Sequence, residues 1–171
     1  MSNVFLISDL HLGHANICKF VRADGTKVRP WDDPDEMDAA IIANWNSVVR
    51  PNDKVYDLGD CIISRRNFPL LGRLNGKKRL IRGNHDIFHT TEYMEYYEEI
   101  YGVRVLDDMV LSHYPIARDS INRDTNVHGH LHHNDIADGR YYNVCVENIN
   151  YTPVALEDLR LLIAVKKSLY P

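Results

Sequence analysis

The stretch 3-NVFLISDLH-11 sets a short apolar run, residues 3–8, directly before the carboxylate of Asp9, with an imidazole two positions on. Such a run reads as a buried strand with polar side chains gathered at its C-terminal end. The design recurs. The stretch 54-KVYDL-58 runs into Gly59-Asp60, and 77-KKRLIR-82 runs into Gly83-Asn84-His85-Asp86. Three strands that each end in a glycine-bearing or acidic turn raise the question of what those ends converge on.

Helical patterns fill the intervals. Asp33 can N-cap a helix with Pro34 in its first turn, and Glu36 completes a capping-box-like pattern. Met37, Ala40, Ile41, Trp45 and Val48 then share one face, and Pro51 ends the run. Residues 22–34 read as a loop. Residues 65–74 are expected to be helical, packing through Leu70, Leu71 and Leu74. The stretch 90-TTEYMEYYEEIYG-102 reads as a helix closed by Gly102. Strands follow near 103–106, 109–113, 125–130 and 142–147, and a last amphipathic helix covers about 155–167. The first half alternates strand and helix and the second is mostly strand, so a layered α/β fold with sheets flanked by helices is expected. A chain of 171 residues suits a single domain, 1–171.

Net charge is −4 and the isoelectric point is near 6.1, which argues against a broad cationic surface for nucleic acid or membrane. A small phosphorylated substrate stays compatible, because bound cations can neutralise part of the negative charge. Cys18, Cys61 and Cys145 form neither a disulfide framework nor a CxxC pattern; reduced thiols in the cytoplasm are the expectation. The N-terminus has no basic region before its apolar run, so it does not read as a signal peptide. No apolar stretch is long enough to cross a bilayer.

The stretch 127-VHGHLHHND-135 places His128, His130, His132 and His133 close together. A strand through it would project His128, His130 and His132 to one face. With His113 in 111-LSHYP-115 and the three turns above, carboxylates and imidazoles from several strand ends can meet at one point. A mixed oxygen and nitrogen set suits Mn, Fe, Ni, Zn or Co better than Mg alone. Two such ions about 3.5–4 Å apart clamp the attacking and leaving oxygens of an in-line displacement.

The order DxH, GD, GNHD, H, GHxH resembles the calcineurin-like metallophosphoesterases, small bacterial and phage members among them, from Asp9 to His132. The resemblance implies a four-layer α/β/β/α sandwich and a metal-dependent phosphoric ester hydrolase with two divalent ions, Mn foremost and Fe, Ni, Zn or Co as alternatives. By the same resemblance Asp9, His11 and His132 hold the first ion, Asn84, His113 and His130 the second, and Asp60 bridges them. A hydroxide between the metals would attack phosphorus, His85 would be the general acid, and Asp86 would orient its ring.

Some positions depart from the family or are ambiguous. The second motif reads GDCII, with no acid at Ile63, which speaks against protein-phosphatase-like substrate binding. His14 and Asn16 extend the first motif and are candidate phosphate contacts; for His14 the alternative is a hydrogen bond to a neighbouring loop. His89 and His133 are expected at the surface, and His128 is expected to hydrogen-bond behind the ligands. Arg65 and Arg66 read as an exposed first helical turn, with an anion contact as the alternative. Tyr93, Tyr96 and Tyr97 read as helix packing.

Three functions compete: a two-metal phosphodiesterase, with phosphomonoesters as a second substrate class; a non-catalytic metal-binding scaffold on the same fold; and a nuclease for short nucleic acids. The intact ligand set favours the first. The chain has little room for a cap over the site, so an open site preferring diesters is expected. The expected partner is a small phosphoester, nucleotides included, with no large nucleic-acid surface and no membrane; no oligomeric state follows.

Overall fold

The computed structural model describes residues 2–171 as two sheets with their helices. In the first sheet β1 (Val4–Ile7), β2 (Lys54–Asp57), β3 (Lys77–Ile81) and β4 (Glu99–Tyr101) are parallel. The second sheet holds β5 (Val103–Leu106), β6 (Met109–Ser112), β7 (Thr125–His128) and β8 (Tyr141–Asn143), parallel except for the β5–β6 pair. A two-residue strand, β9 (Val154–Ala155), pairs antiparallel with β1 at the far edge of the first sheet. The helices are α1 (Pro34–Val48), the single turn α2 (Thr90–Tyr93) and α3 (Leu156–Leu169).

Register positions the site. Ile7 lies opposite Asp57 and Asp57 opposite Leu80, so the first three strands end level and their following turns share one edge of the sheet. The second sheet brings its strand ends to the same place. Ser112 pairs with His128, the Gly129 amide donates to the His113 carbonyl, and the Ser8 amide donates to the Val144 carbonyl across the sheets. The site therefore sits at the carboxyl ends of parallel strands, where ligands bind in open α/β sheets.

Two cores hold this arrangement. On one face of the first sheet, Phe5, Ile7, Val55 and Leu80 pack against Met37, Ile41 and Trp45 of α1. Asp33 caps α1 as expected, accepting from the Asp35 amide at 2.9 Å. The other face, through Leu6, Tyr56 and Ile81, meets Met109, Leu111 and Val127 of the second sheet, and α3 adds Leu159 and Ile163 to the same core. The outer face of the second sheet carries buried Asn126 and Asn143. Loop backbone covers it: the Ile116 amide donates to Asn126 Oδ1 and the Ile116 carbonyl accepts from Tyr141. Among the described residues no helix is long and apolar enough to cross a membrane.

Four expectations are corrected. The helix expected over 90–102 stops at Tyr93, and Glu99–Tyr101 is an edge strand. Arg79 on the adjoining strand pairs with both Glu98 and Glu99, the Tyr97 hydroxyl donates to buried Asp57 at 2.6 Å, and the aromatic and β-branched content suits a pleated edge. Gly102 thus separates two strands and caps nothing. Residues 68–73 form 3₁₀ turns and not an α-helix; Leu71 and Leu74 are buried as expected, Leu70 is only half-buried, and Phe68 is buried beside them. The strand expected over 125–130 ends at His128, and the one over 142–147 ends at Asn143. The β9 strand had no sequence signal, being only two residues long.

Candidate metal centre

The turns after β1, β2, β6 and β7 converge two groups of side chains. Asp9, His11 and His132 bring ligand atoms within 4.8 Å of one another, and Asp60, His113 and His130 do the same. Asn84 joins the second group, its Oδ1 lying 2.9 Å from His113 Nε2. All seven residues expected as ligands are therefore together. Asp60 stands between the groups: its Oδ2 is 3.6 Å from His11 Nε2 and 3.5 Å from His113 Nε2.

The backbone aims these side chains. Asp9, His11, Asp60, His130 and His132 all have positive φ, between 50° and 69°. Left-handed backbone at a non-glycine residue costs about 1–3 kcal/mol and persists only where the surroundings impose it. Asp and His tolerate it better than most residues. His130 and His132 therefore stand on a turn and not on one face of a strand. His128, the last residue of β7, is buried, and its Nδ1 donates to the Gly129 carbonyl, 2.8 Å away, behind the turn that carries them.

Close approach of backbone makes the turns possible. Gly59, at φ 97°, lies so near the Gly83 amide that a Cβ would come within 2.5 Å of it. A Cβ on Gly129 would fall 2.0 Å from Ser8 Oγ and 2.4 Å from Asp9 Oδ2.

Electrostatics and hydrogen bonds orient the ligand atoms. Asp9 Oδ2 accepts from Ser8 Oγ at 2.6 Å and from the His130 amide at 2.8 Å. Asp9 Oδ1 and both ring nitrogens of His11 are buried and have no hydrogen-bond partner among the described residues. Burial opposes ionisation of Asp9, but the adjacent His11, His113 and His132 rings outweigh it and hold the carboxyl well below its usual range. His113 Nδ1 lies 2.8 Å from the Leu58 carbonyl, which leaves Nε2 facing the site. Burial pulls its pKa down, yet contact with Asp60 and the charge of Asp9 raise it to about 9. Buried acceptors without partners are what bound cations would resolve, and the donor set suits divalent transition metals.

Other expected residues fall into place unevenly. His85 is half-buried, its ring 5.6 Å from the His11 ring and edge-on to it. Asp86 does not orient it. Both Asp86 oxygens are taken by backbone amides, Oδ2 by Asp60 and Gly83 and Oδ1 by Cys61, which ties the GD turn to the GNHD turn. His14 stands 5.4 Å from the His11 ring, and burial, then the charges on His11 and His85, lower its pKa to about 4. Asn16 is exposed and accepts from Lys19. Arg65 is paired with Glu92 and lies over the Phe88 ring, whereas Arg66 lines a cleft of about 480 Å³ with Gly13, Ser64 and Asn67. His89 is exposed and caps α2; His133 is half-buried. Tyr97 and Tyr93 are core residues.

Sequence reading missed Arg29 and Glu147, which are fully buried and paired at 2.9 Å, with Glu147 Oε1 3.1 Å from His132 Nδ1. It also missed Tyr114, exposed and packed on the His130 ring with centroids 4.0 Å apart. No motif marks the first two; Tyr114 was visible only as a neighbour of His113.

Comparison with known proteins agrees with this geometry. The model of the calcineurin-like phosphoesterases matches residues 2–163. An uncharacterized protein of Methanocaldococcus jannaschii is 37% identical over 95% of this chain and 92% of its own length. The Gene 66 protein of Mycobacterium phage L5 is 30% identical over 77% of this chain and 78% of its own. The crystal structure of a protein of unknown function from Aquifex aeolicus superposes with a TM-score of 0.71 at 26% identity, covering 95% of this chain and all of that one. With the ligand turns in their expected order and the family model matched over nearly the whole length, the chain belongs to the calcineurin-like phosphoesterase family.

Proposed function

We propose that this protein hydrolyses small phosphodiesters, with phosphomonoesters as weaker substrates, using two divalent cations of which Mn²⁺ is the preferred pair. The observation that carries the reading is the convergence of two ligand groups on one Asp60 oxygen, with unpaired buried acceptors on Asp9 and His11. When bound, such cations lower the pKa of water and offset charge on phosphoryl oxygens. Asp9, His11 and His132 would hold one, Asn84, His113 and His130 the other, with Asp60 shared.

The chain's own residues supply the rest. His85 is assigned the proton transfer to the leaving oxygen from a ring nitrogen, since it is half-buried at the rim and its ring is not committed to Asp86. His14, held neutral, is assigned a contact to the phosphoryl group. Asn84 is exposed and His130 and His132 are half-buried, so the site opens to solvent. An open site tolerates a second ester group, which supports diesters, nucleotides among them. The buried, unpaired state of all three cysteines supports a reducing compartment, the cytoplasm.

The test is hydrolysis of a chromogenic diester and its matched monoester by metal-stripped protein resupplied with Mn²⁺. Metal-dependent turnover with a diester-to-monoester ratio above one is expected. Two bound metals without turnover of either ester would favour the scaffold reading.

A further inference from the structure

Arg29 lies in the loop before α1, and its side chain is wholly buried together with that of Glu147. The guanidinium donates to four acceptors, one of them Met37 Sδ on α1, 3.4 Å from Nη1. Nη2 donates to the Asp9 carbonyl at 2.6 Å, Nη1 to the Leu10 carbonyl at 2.8 Å, and Nε to Glu147 Oε1 at 2.9 Å. The same Glu147 oxygen faces His132 Nδ1. Burying a cation and an anion costs several kcal/mol each unless geometry and hydrogen bonds offset it. The three oxygen contacts all lead to ligand-bearing turns, two directly and one through Glu147. Asp9 has left-handed backbone, and Arg29 supplies donors to two successive carbonyls of its turn. Glu147 fixes Nδ1 of His132 as the proton-bearing nitrogen, so that Nε2 points toward Asp9 Oδ1, 4.0 Å away.

We infer that Arg29 and Glu147 are a positioning pair for one of the two cations: Arg29 braces the turn that presents Asp9, and Glu147 sets the tautomer and orientation of His132. The inference rests on the metal reading of the site. The second ligand group is built differently. His113 is braced by a backbone carbonyl, and among the described residues no carboxylate outside the ligand set is hydrogen-bonded to the His130 ring.

The experiment is calorimetric titration of the metal-stripped protein with Mn²⁺, using wild type and Glu147→Gln, with His132→Ala and His130→Ala marking the two binding events. Glu147→Gln is expected to weaken the event that His132→Ala removes by roughly 10–100-fold and to leave the other unchanged. Where loss of one buried charge prevents folding, the double variant Arg29→Met, Glu147→Gln removes both charges and carries the same expectation. Equal weakening of both events, or of neither, in a folded variant overturns the inference. No phosphoester is needed, so a protein that binds two metals and hydrolyses nothing would sink the proposed function and leave this inference standing; a wild type that binds no Mn²⁺ overturns both.

Discussion

The His85 amide donates to Oδ1 of Asp60 at 2.7 Å, which leaves Oδ2 as the only oxygen of that carboxylate turned between His11 and His113. The peptide that carries the assigned acid thus fixes the residue assigned to join the two cations.

Asp60→Asn keeps the His85 contact available and removes the charge at Oδ2. Metal analysis of the purified variant should fall from two ions per chain toward one or fewer, and diester hydrolysis should drop by roughly 10³-fold. A variant retaining both ions and near-normal turnover would show that Asp60 does not serve both cations.

His85 and Asp86, although adjacent, should fail in different ways. His85→Ala should lower kcat by about 10²–10⁴-fold with metal content and unfolding midpoint unchanged. Asp86→Ala strands the amides of Asp60, Cys61 and Gly83, each costing about 1–3 kcal/mol when buried without a partner. Its thermal midpoint should fall sharply in metal-free protein, where chemistry plays no part. Equal stability of the two variants would return Asp86 to the role of orienting His85.

Gly129→Ala should disable the centre without replacing a ligand. The new methyl would meet Ser8 Oγ and Asp9 Oδ2, so the turn bearing His130 must move away from the first strand. Reduced metal content in a folded chain is the expected result; unchanged affinity for Mn²⁺ would contradict the tight packing of these turns.

Asp57 predicts a pH dependence. Burial, and then the charge of Asp86, raise its pKa from 3.8 to about 8 despite the hydrogen bond from Tyr97. In this window the folded chain holds a proton that the unfolded chain releases. Stability of metal-free protein should therefore fall as pH rises from about 4 to about 8 through this group. Asp57→Asn should flatten that part of the curve, measured as unfolding midpoints at pH 5 and pH 8 for both proteins. A wild-type midpoint no lower at pH 8 than at pH 5, unchanged by the substitution, would contradict the assignment.

Much of the centre is legible in the sequence because each ligand follows a strand that is apolar enough to recognise. Asp9, Asp60 and Asn84 come within three residues of the ends of β1, β2 and β3, so finding the strands finds the turns. Two-residue alternation stops at the end of β7, at His128. His130 and His132 meet their partners through left-handed backbone, which two-residue alternation cannot describe. Glu99–Tyr101 reads as helix because Tyr and Glu fit both periods, and its pairing with β3, with Arg79 between Glu98 and Glu99, decides for a strand. Arg29 and Glu147 lie 118 positions apart and acquire meaning only as a pair. Asp86 was assigned by adjacency to His85, whereas its carboxylate is turned to the amides of its own and the preceding motif.

The contact from the His130 amide to Asp9 joins positions 121 apart, and Glu147 must arrive after that to reach His132. During synthesis the amino-terminal half emerges first. It carries Asp9, His11 and Asp60 without His113, His130 and His132, which complete the two groups. A chain that stops short of residue 130 can therefore assemble neither ligand group in full, and one that stops short of residue 147 lacks the carboxylate that faces His132.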